Sequence, residues 1–395
     1  MRNLLSFGPE SEPIKLGPLN VLIGPNGSGK SNIIEAIDLL RASATELVAP
    51  IRATGGTEEW LWKGCDPRLY AVLYATIRPL AGKVPIRHSF SFSSTGQRFR
   101  LVDEAIHDQP EDTDGVEEIL TYFSYESGVP FFLVPMQEAG EEGDGGEREY
   151  KRMRRKNLAP DQSVLTQRRD PDRYPEITYL GEHYRQFRLY REWDIGRNGA
   201  PRIPQSVDQP NDFLAEDASN LGLVLSHLGR TGNLKDTLDA LISRFYDRYR
   251  DYSVSVEGGT VQVFLREKDL KDWIPATRIS DGTLRFLCLA SILCHPSPKP
   301  LICIEEPEIG LHPDILPTVA EMLIEASERT QIIVTTHSDI LVDALSHVPE
   351  AVLVCEKESN STSVRRLDQD ALRKWLDKYT LGELWRSGEL GGNRW

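Results

Sequence analysis

The sequence predicts an α/β protein: a mixed, mainly parallel sheet flanked by helices, with an antiparallel β-subdomain and a helical or irregular insertion. Three observations carry this expectation. Leu19, Val21, Leu22 and Ile23 form a short apolar run, residues 24–31 (GPNGSGKS) fill the pattern G-x-x-x-x-G-K-[ST], and Ile33, Ile34, Ile37, Leu39 and Leu40 then recur at helical spacing. Strand, glycine loop and helix is the order a phosphate-binding loop requires. The C-terminal third alternates apolar strand-like runs with helical ones, as parallel sheets with crossover helices do. Finally, segments 70–77, 88–92 and 98–102 are rich in β-branched and aromatic residues with turn residues between them, the pattern of an antiparallel meander.

Taken in order, residues 1 to about 45 read as a first strand, a turn at Gly17-Pro18, the loop strand and the helix after Lys30. In the loop, glycines let consecutive N–H groups point inward and the new helix adds the positive end of its dipole, so Gly24, Pro25, Asn26, Gly27, Ser28 and Gly29 are expected to hold a polyphosphate largely by main chain. Lys30 would reach the β/γ-phosphates of ATP and the Ser31 hydroxyl would ligate Mg²⁺. Beyond the meander, 103–150 is acidic and 140–146 (GEEGDGG) reads as a flexible linker. The Arg/Pro/Tyr-rich part to about 205 has weak periodicity and receives no assignment. Leu221, Val224, Leu225 and Leu228 then make one helical stripe, and Leu234, Leu238, Leu241, Ile242, Phe245 and Tyr249 a second, broken between by Gly229 and Gly232. Segments 252–256 and 260–265 flank Gly258-Gly259, a hairpin signal.

Composition sets broad limits. With 39% hydrophobic residues the chain has enough apolar material for a core. Its longest nearly unbroken apolar run, 284–294, is far short of the ~20 residues needed to cross a bilayer, and Glu10 and Glu12 interrupt any signal-peptide core, so a cytoplasmic protein without a membrane partner is expected. Cys65, Cys288, Cys294, Cys303 and Cys355 contain no C-x-x-C pair and read as buried free thiols. The net charge of −14 is unevenly placed. Between 103 and 149 stand fifteen Asp and Glu against one Arg, whereas between 148 and 202 fourteen Arg and Lys stand against eight acids. A basic surface is therefore compatible with the acidic total, and Lys151, Arg152, Arg154, Arg155 and Lys156 are candidates for a DNA or partner contact; an ordinary solvated face is the alternative.

The second half of the nucleotide site is expected in the C-terminal third. Residues 301–306 (LICIEE) form a buried strand ending in two acids, expected beside the loop strand, with Glu305 holding the metal shell and Glu306 acting as base toward the attacking water. Upstream, Ser280, Asp281 and Gly282 open an apolar helix, where hydroxyl and N–H groups can meet an anion or simply cap the helix. Downstream, the apolar run 332–334 leads into Thr335-Thr336-His337-Ser338, placing His337 to contact a terminal phosphate; a hydrogen-bonded surface histidine is the plainer alternative.

Order and spacing tie these pieces together: 25 residues separate Ser280 from Glu305 and 31 separate Glu306 from His337. Both intervals resemble those between signature, Walker B and switch histidine in ABC-type ATPases. The segments GPNGSGKSN, SDGTLRFL, EEPEIGLHP and TTHS resemble the RecF/SMC-type branch, and within it the bacterial ATPases of the AAA15/AAA21 kind, related to the ATPase domain of overcoming-lysogenization-defect (OLD) nucleases. The closing 381–385 and 391–395 also resemble tails of that group. The resemblance implies an ABC-type P-loop ATPase head. Its N-terminal lobe would occupy 1–102, the acidic then basic insertion 103–211, a helical subdomain with hairpin 212–275, and the C-terminal lobe 276–395. It also implies hydrolysis of ATP with Mg²⁺ and a head-to-tail dimer sandwiching two ATP molecules. The role would be that of a switch or sensor in phage defence or DNA repair.

The sequence departs from the family pattern in several places. The metal acid, usually aspartate, is Glu305 here, and Gln97, Gln137, Gln167 and Gln186 all remain candidates for the Q-loop. The 58 residues after His337 are too few for a Toprim nuclease domain, so any nuclease chemistry is expected from a separately encoded effector. The alternative, a nucleotide-binding subunit of an ABC transporter, is disfavoured by the 250 residues between Lys30 and Ser280 and by the absence of an LSGGQ form. A small-molecule P-loop kinase would leave the signature and His337 without a role.

Overall fold

A computed structural model describes residues 1–64, 70–79, 84–110, 119–126, 129–135, 150–154, 158–159, 161–231 and 234–392. The chain forms two compact units that do not follow linear order: Met1–Ile14, Asn32–Gln186 and Lys357–Ser363 make one, and Lys15–Ser31, Phe187–Glu356 and Val364–Trp395 the other. The loop strand thus belongs with the C-terminal residues.

The second unit holds the mixed, mainly parallel sheet expected from the sequence. Its order is Ser361–Arg366, Val352–Glu358, Leu19–Ile23, Gln331–Thr335, Leu301–Glu305, Arg188–Tyr190. The loop strand runs parallel to Val352–Glu358 and Gln331–Thr335, and Leu301–Glu305 runs parallel to Gln331–Thr335 and Arg188–Tyr190. One expectation is corrected: the acid strand is not beside the loop strand, because Gln331–Thr335 lies between them. Strands covered on both faces read as near-continuous apolar runs, so all three look alike in sequence and their order is invisible there. The helix Asp281–Leu293 is buried at nearly every position from Thr283 on, with Phe286 stacked on Phe245 at 4.9 Å between ring centroids. Helices Leu221–Leu228 and Leu234–Phe245 and the antiparallel hairpin Tyr249–Glu257/Thr260–Glu267 stand where the stripes and Gly258-Gly259 place them, except that Tyr249, expected in the second helical stripe, opens the hairpin's first strand instead.

The first unit carries a six-stranded antiparallel sheet: Ala71–Ile77, Ile86–Thr95, Arg98–Asp108, Thr121–Glu126, Val129–Pro135, Tyr150–Arg154. The meander therefore continues well into the stretch read as an acidic insertion. The buried aromatics Phe123 and Phe132, level with one another on neighbouring strands, share one face of it, a signal masked by the surrounding acids. Within the same unit the Glu104 carboxylate is buried, accepting from Ser163 Oγ at 2.5 Å and Val164 N at 2.8 Å, with His88 Nε2 3.0 Å away. The first strand expected near the N-terminus is absent as a strand. Leu4 makes isolated bridges to Phe7 and Leu61, and the positive φ of Asn3 and Leu5 breaks any extended run. The linker 140–146, Gln137, Cys65, Arg155, Lys156, Gly232 and 393–395 lie outside the described residues.

Candidate nucleotide site

The register of the main sheet explains why distant motifs meet. Leu22 and Glu305 are both level with Thr335, Ile304 is level with Tyr190, and Ile23 with Val354. Consequently Gly24, Thr336-His337, Glu306 and Arg191 all leave the sheet at one edge, the carboxyl ends of parallel strands, where open α/β sheets bind ligands, with Cys355 of Val352–Glu358 beside Gly24. Thr336 N donates to Leu22 O at 3.1 Å and Glu306 N to Thr335 O at 2.9 Å, knitting the three turns together.

The loop has the backbone its glycines were expected to give. Gly24, Gly27 and Gly29 have φ of +145°, +80° and +102°, conformations that residues with side chains rarely adopt. At Gly24 a Cβ would also lie 2.2 Å from the carbonyl oxygen of Cys355. Lys30, buried at the start of the helix Lys30–Ser43, donates from Nζ to Gly24 O and Pro25 O. Ser28 is buried, whereas Asn26, Gly27 and Ser31 are exposed. This is a cradle of backbone and one cation that fits a polyphosphate.

At the acid strand, Glu305 Oε1 accepts from Arg191 Nε at 2.8 Å. Glu306 has a φ of 47°, a strained left-handed conformation for a residue with a side chain. Its carboxylate lies 3.6 Å from His337 Nε2. Burial first, then the Lys30 charge, lower the His337 pKa from its ordinary 6.5, against the pull of Glu306 and Glu308. Glu308 Oε1 accepts from Thr336 Oγ1 and from His337 N, each at 2.7 Å, so it holds the histidine turn against the acid loop. A hydroxyl at Ser31 with the carboxylate of Glu305 is a small, hard-oxygen donor set. It suits Mg²⁺ that shares its shell with phosphate oxygens and water.

Ser280 realises the plainer of its two readings: Oγ caps the helix, taking Thr283 N at 3.2 Å, and sits 2.7 Å from Thr283 Oγ1. Both Ser280 and Asp281 are exposed. Gly282 allows a close approach, since a Cβ there would lie 2.7 Å from Gly310 O. Arg202 holds this corner, donating to Ile195 O, Ala276 O, Ile279 O and Asp281.

Arg191, Arg202 and Glu308 were missed in the sequence. Arg191 follows a three-residue strand too short for periodicity to reveal, and Glu308 was passed over although it stands two residues after the presumed base. Of the glutamines, Gln97 has a positive φ in the 95–98 turn, Gln167 bonds Ala159 N and O, and Gln186 caps the helix Pro175–Arg185. Lys151, Arg152 and Arg154 lie on Tyr150–Arg154, an edge strand of the antiparallel sheet. The D-x-D sequence after His337, Asp368-Gln369-Asp370, serves as a helix start, with Asp368 accepting from Asp370 N and Ala371 N. No helix among the described residues is long and apolar enough to cross a membrane.

Comparison with known proteins supplies independent findings. A family model described as "AAA domain, putative AbiEii toxin, Type IV TA system", AAA_21, matches residues 19–343. The "Old nuclease" of Escherichia phage P2 is 28% identical over 196 residues, covering 44% of this chain and 33% of that protein. The chain thus spans about a third of the curated relative it matches. Among solved structures, an Smc head domain with an extended coiled coil bound to the C-terminal domain of ScpA, derived from Pyrococcus furiosus, aligns over 95% of this chain and 97% of that chain at 13% identity and a TM-score of 0.48. The SMC head domain from Thermotoga maritima aligns over 93% and 97% at 14% identity and a TM-score of 0.40.

Proposed function

The chain belongs to the AAA_21 family of P-loop ATPase domains, and from that premise we propose that it binds ATP with Mg²⁺ at residues 24–31 and hydrolyses it, cycling between a monomer and an ATP-sandwiched dimer. The observation that carries this reading is the convergence of Lys30, Glu305, Glu306 and His337 at one edge of a parallel sheet, from strands whose register makes their ends level.

In this reading the loop amides and Lys30 bind the phosphates. Ser31 and Glu305 hold the metal, whose charge offsets that of the phosphate oxygens. Glu306, presented by its left-handed backbone, takes the proton of the attacking water. His337, fixed by Glu308, orients against the terminal phosphate. Ser280 and Asp281, exposed at a helix start, meet the phosphate of a second subunit together with Gly282.

The cellular role proposed is a switch or sensor in a DNA-related process, phage defence or repair, controlling a separately encoded effector such as a Toprim-like nuclease. Support comes from the relative named a nuclease and from the basic residues 151–156 as a candidate DNA or partner surface. The matched family and relative lend no support to the transporter alternative. The direct test is ATP binding by calorimetry together with phosphate release. A folded protein that binds no ATP with Mg²⁺ present would overturn the reading.

A further inference from the structure

The Arg191–Glu305 pair has no place in the nucleotide chemistry described above. Arg191 leaves the strand next to the acid strand, and the register that sets Tyr190 level with Ile304 brings its guanidinium to Glu305, with Nε 2.8 Å from Oε1. Both side chains are largely withdrawn from solvent, Glu305 at 17% and Arg191 at 33% exposure, so solvent and salt screen the pair less than a surface pair. A carboxylate so engaged already has a cation. A divalent ion at the same carboxylate must share Glu305 with the guanidinium or displace it.

Resting on the nucleotide reading, we propose that Arg191 is a resident counter-ion of the metal acid, which competes with the divalent cation for Glu305 and sets the metal concentration at which the site loads. The length of Glu305 serves this arrangement, since the extra methylene extends the carboxylate toward the guanidinium that leaves the neighbouring strand. Arg191 is also one end of a short connection whose other end is Arg202, which donates to Ile279 O at 2.6 Å and to Asp281. Displacement at Glu305 therefore frees one end of a segment whose other end holds the start of the Asp281–Leu293 helix. Competition at a shared group is reciprocal: whatever the arginine takes from metal affinity, the metal takes from the arginine contact.

The test is a calorimetric titration of MgCl₂ into the full chain with ATP at fixed concentration, for wild type, Arg191→Gln and Arg191→Lys, with thermal unfolding of each protein free of metal and nucleotide. Arg191→Gln keeps a donor and removes the charge. Its half-saturating Mg²⁺ is expected to fall on the order of fivefold, within the usual range of site-to-site coupling. Its metal-free melting temperature should also fall, because Glu305 loses its cation. Arg191→Lys, which keeps charge but not the planar fork, should lie between the two. An unchanged or higher Mg²⁺ requirement in a folded Arg191→Gln protein would overturn the proposal. Wild type that binds no ATP would instead remove the nucleotide reading on which it rests. Should Arg191→Gln not fold, the comparison of Arg191→Lys with wild type decides alone: equal Mg²⁺ requirements overturn the proposal.

Discussion

The Nζ of Lys30 lies 2.8 Å from the carbonyl oxygen of Gly24 and 3.2 Å from that of Pro25, so the loop's own main chain holds the cation assigned to the phosphates. Burial lowers the Lys30 pKa, while Cys355, Glu306 and Glu308 pull it upward. Lys30→Ala should abolish tight ATP binding, because no other side chain of the loop can neutralise the β/γ-phosphates, while leaving the fold intact. Calorimetry with circular dichroism checks this: a folded variant that binds ATP like wild type would sink the assignment.

Gly24 and Gly27 separate two reasons for a loop glycine. Both have positive φ, but only at Gly24 does a Cβ strike backbone, 2.2 Å from Cys355 O, whereas at Gly27 it meets nothing within 4 Å. Gly27→Ala should cost about 1–2 kcal/mol of stability, the strain of a left-handed conformation. Gly24→Ala should cost clearly more, since two strands must also part. Urea denaturation measures both, and equal midpoints would mean that the strand contact yields freely.

Much of this was legible because local chemistry forces it. The loop 24–31 announces itself through glycines that only one backbone shape requires, and Glu305, Glu306 and His337 through apolar strands ending in polar residues. What stayed hidden depends on register between strands distant in sequence. Arg191 meets Glu305 only because Tyr190 pairs level with Ile304, and Gly24 meets Cys355 only because Ile23 pairs level with Val354. The same blindness put the acid strand beside the loop strand, when Gln331–Thr335 separates them. In the first unit, acids around Phe123 and Phe132 disguised strands as an insertion, since composition averages over both faces of a sheet.

His337 supplies a pH dependence. Its pKa in the folded protein lies below the ordinary 6.5. Its stability contribution is therefore fully present above 6.5 and is lost as pH falls through the window between 6.5 and the lower folded value, where the unfolded chain takes the proton first. Once protonated, the imidazolium faces Glu306 at 3.6 Å and would tie up the base. Hydrolysis should accordingly show an acid limb below pH 6.5 that is missing from the residual rate of His337→Ala. The pH–rate profiles of the two proteins decide this: a limb shared by both would assign it elsewhere.

Glu308 gives the histidine turn two hydrogen bonds through one oxygen, to Thr336 Oγ1 and His337 N. Glu308→Ala should lower kcat on the order of tenfold with little change in ATP affinity, within the usual range for a displaced catalytic group. Glu308→Gln, which retains an acceptor oxygen, should recover most of that loss. A loss of ATP affinity equal to the loss of rate would mean that Glu308 acts on binding rather than on His337.

The last prediction concerns how the site is completed. Lys30, Glu305, Glu306 and His337 share one sheet edge, whereas Ser280 caps its helix through Thr283 and keeps an exposed side chain beside the exposed Asp281. In the proposed dimer that helix start meets the γ-phosphate held by the other subunit, so dimer strength should follow the γ-phosphate. Glu306→Gln keeps shape and hydrogen bonding but removes the base, so hydrolysis should fall by about 10² or more, the usual effect of losing a general base. The ATP-bound dimer should then accumulate. Ser280→Arg places a bulky cation at the same surface and should block closure while each monomer still binds ATP. The arginine also removes a helix cap, at a cost of about 1 kcal/mol, so Ser280→Asp, which preserves capping but adds negative charge facing the phosphate, serves as the control and should block closure too. Sedimentation with and without ATP distinguishes the cases. An oligomeric state in Glu306→Gln that ignores nucleotide, or normal turnover in both Ser280 variants, would leave Ser280 as a helix cap and nothing more.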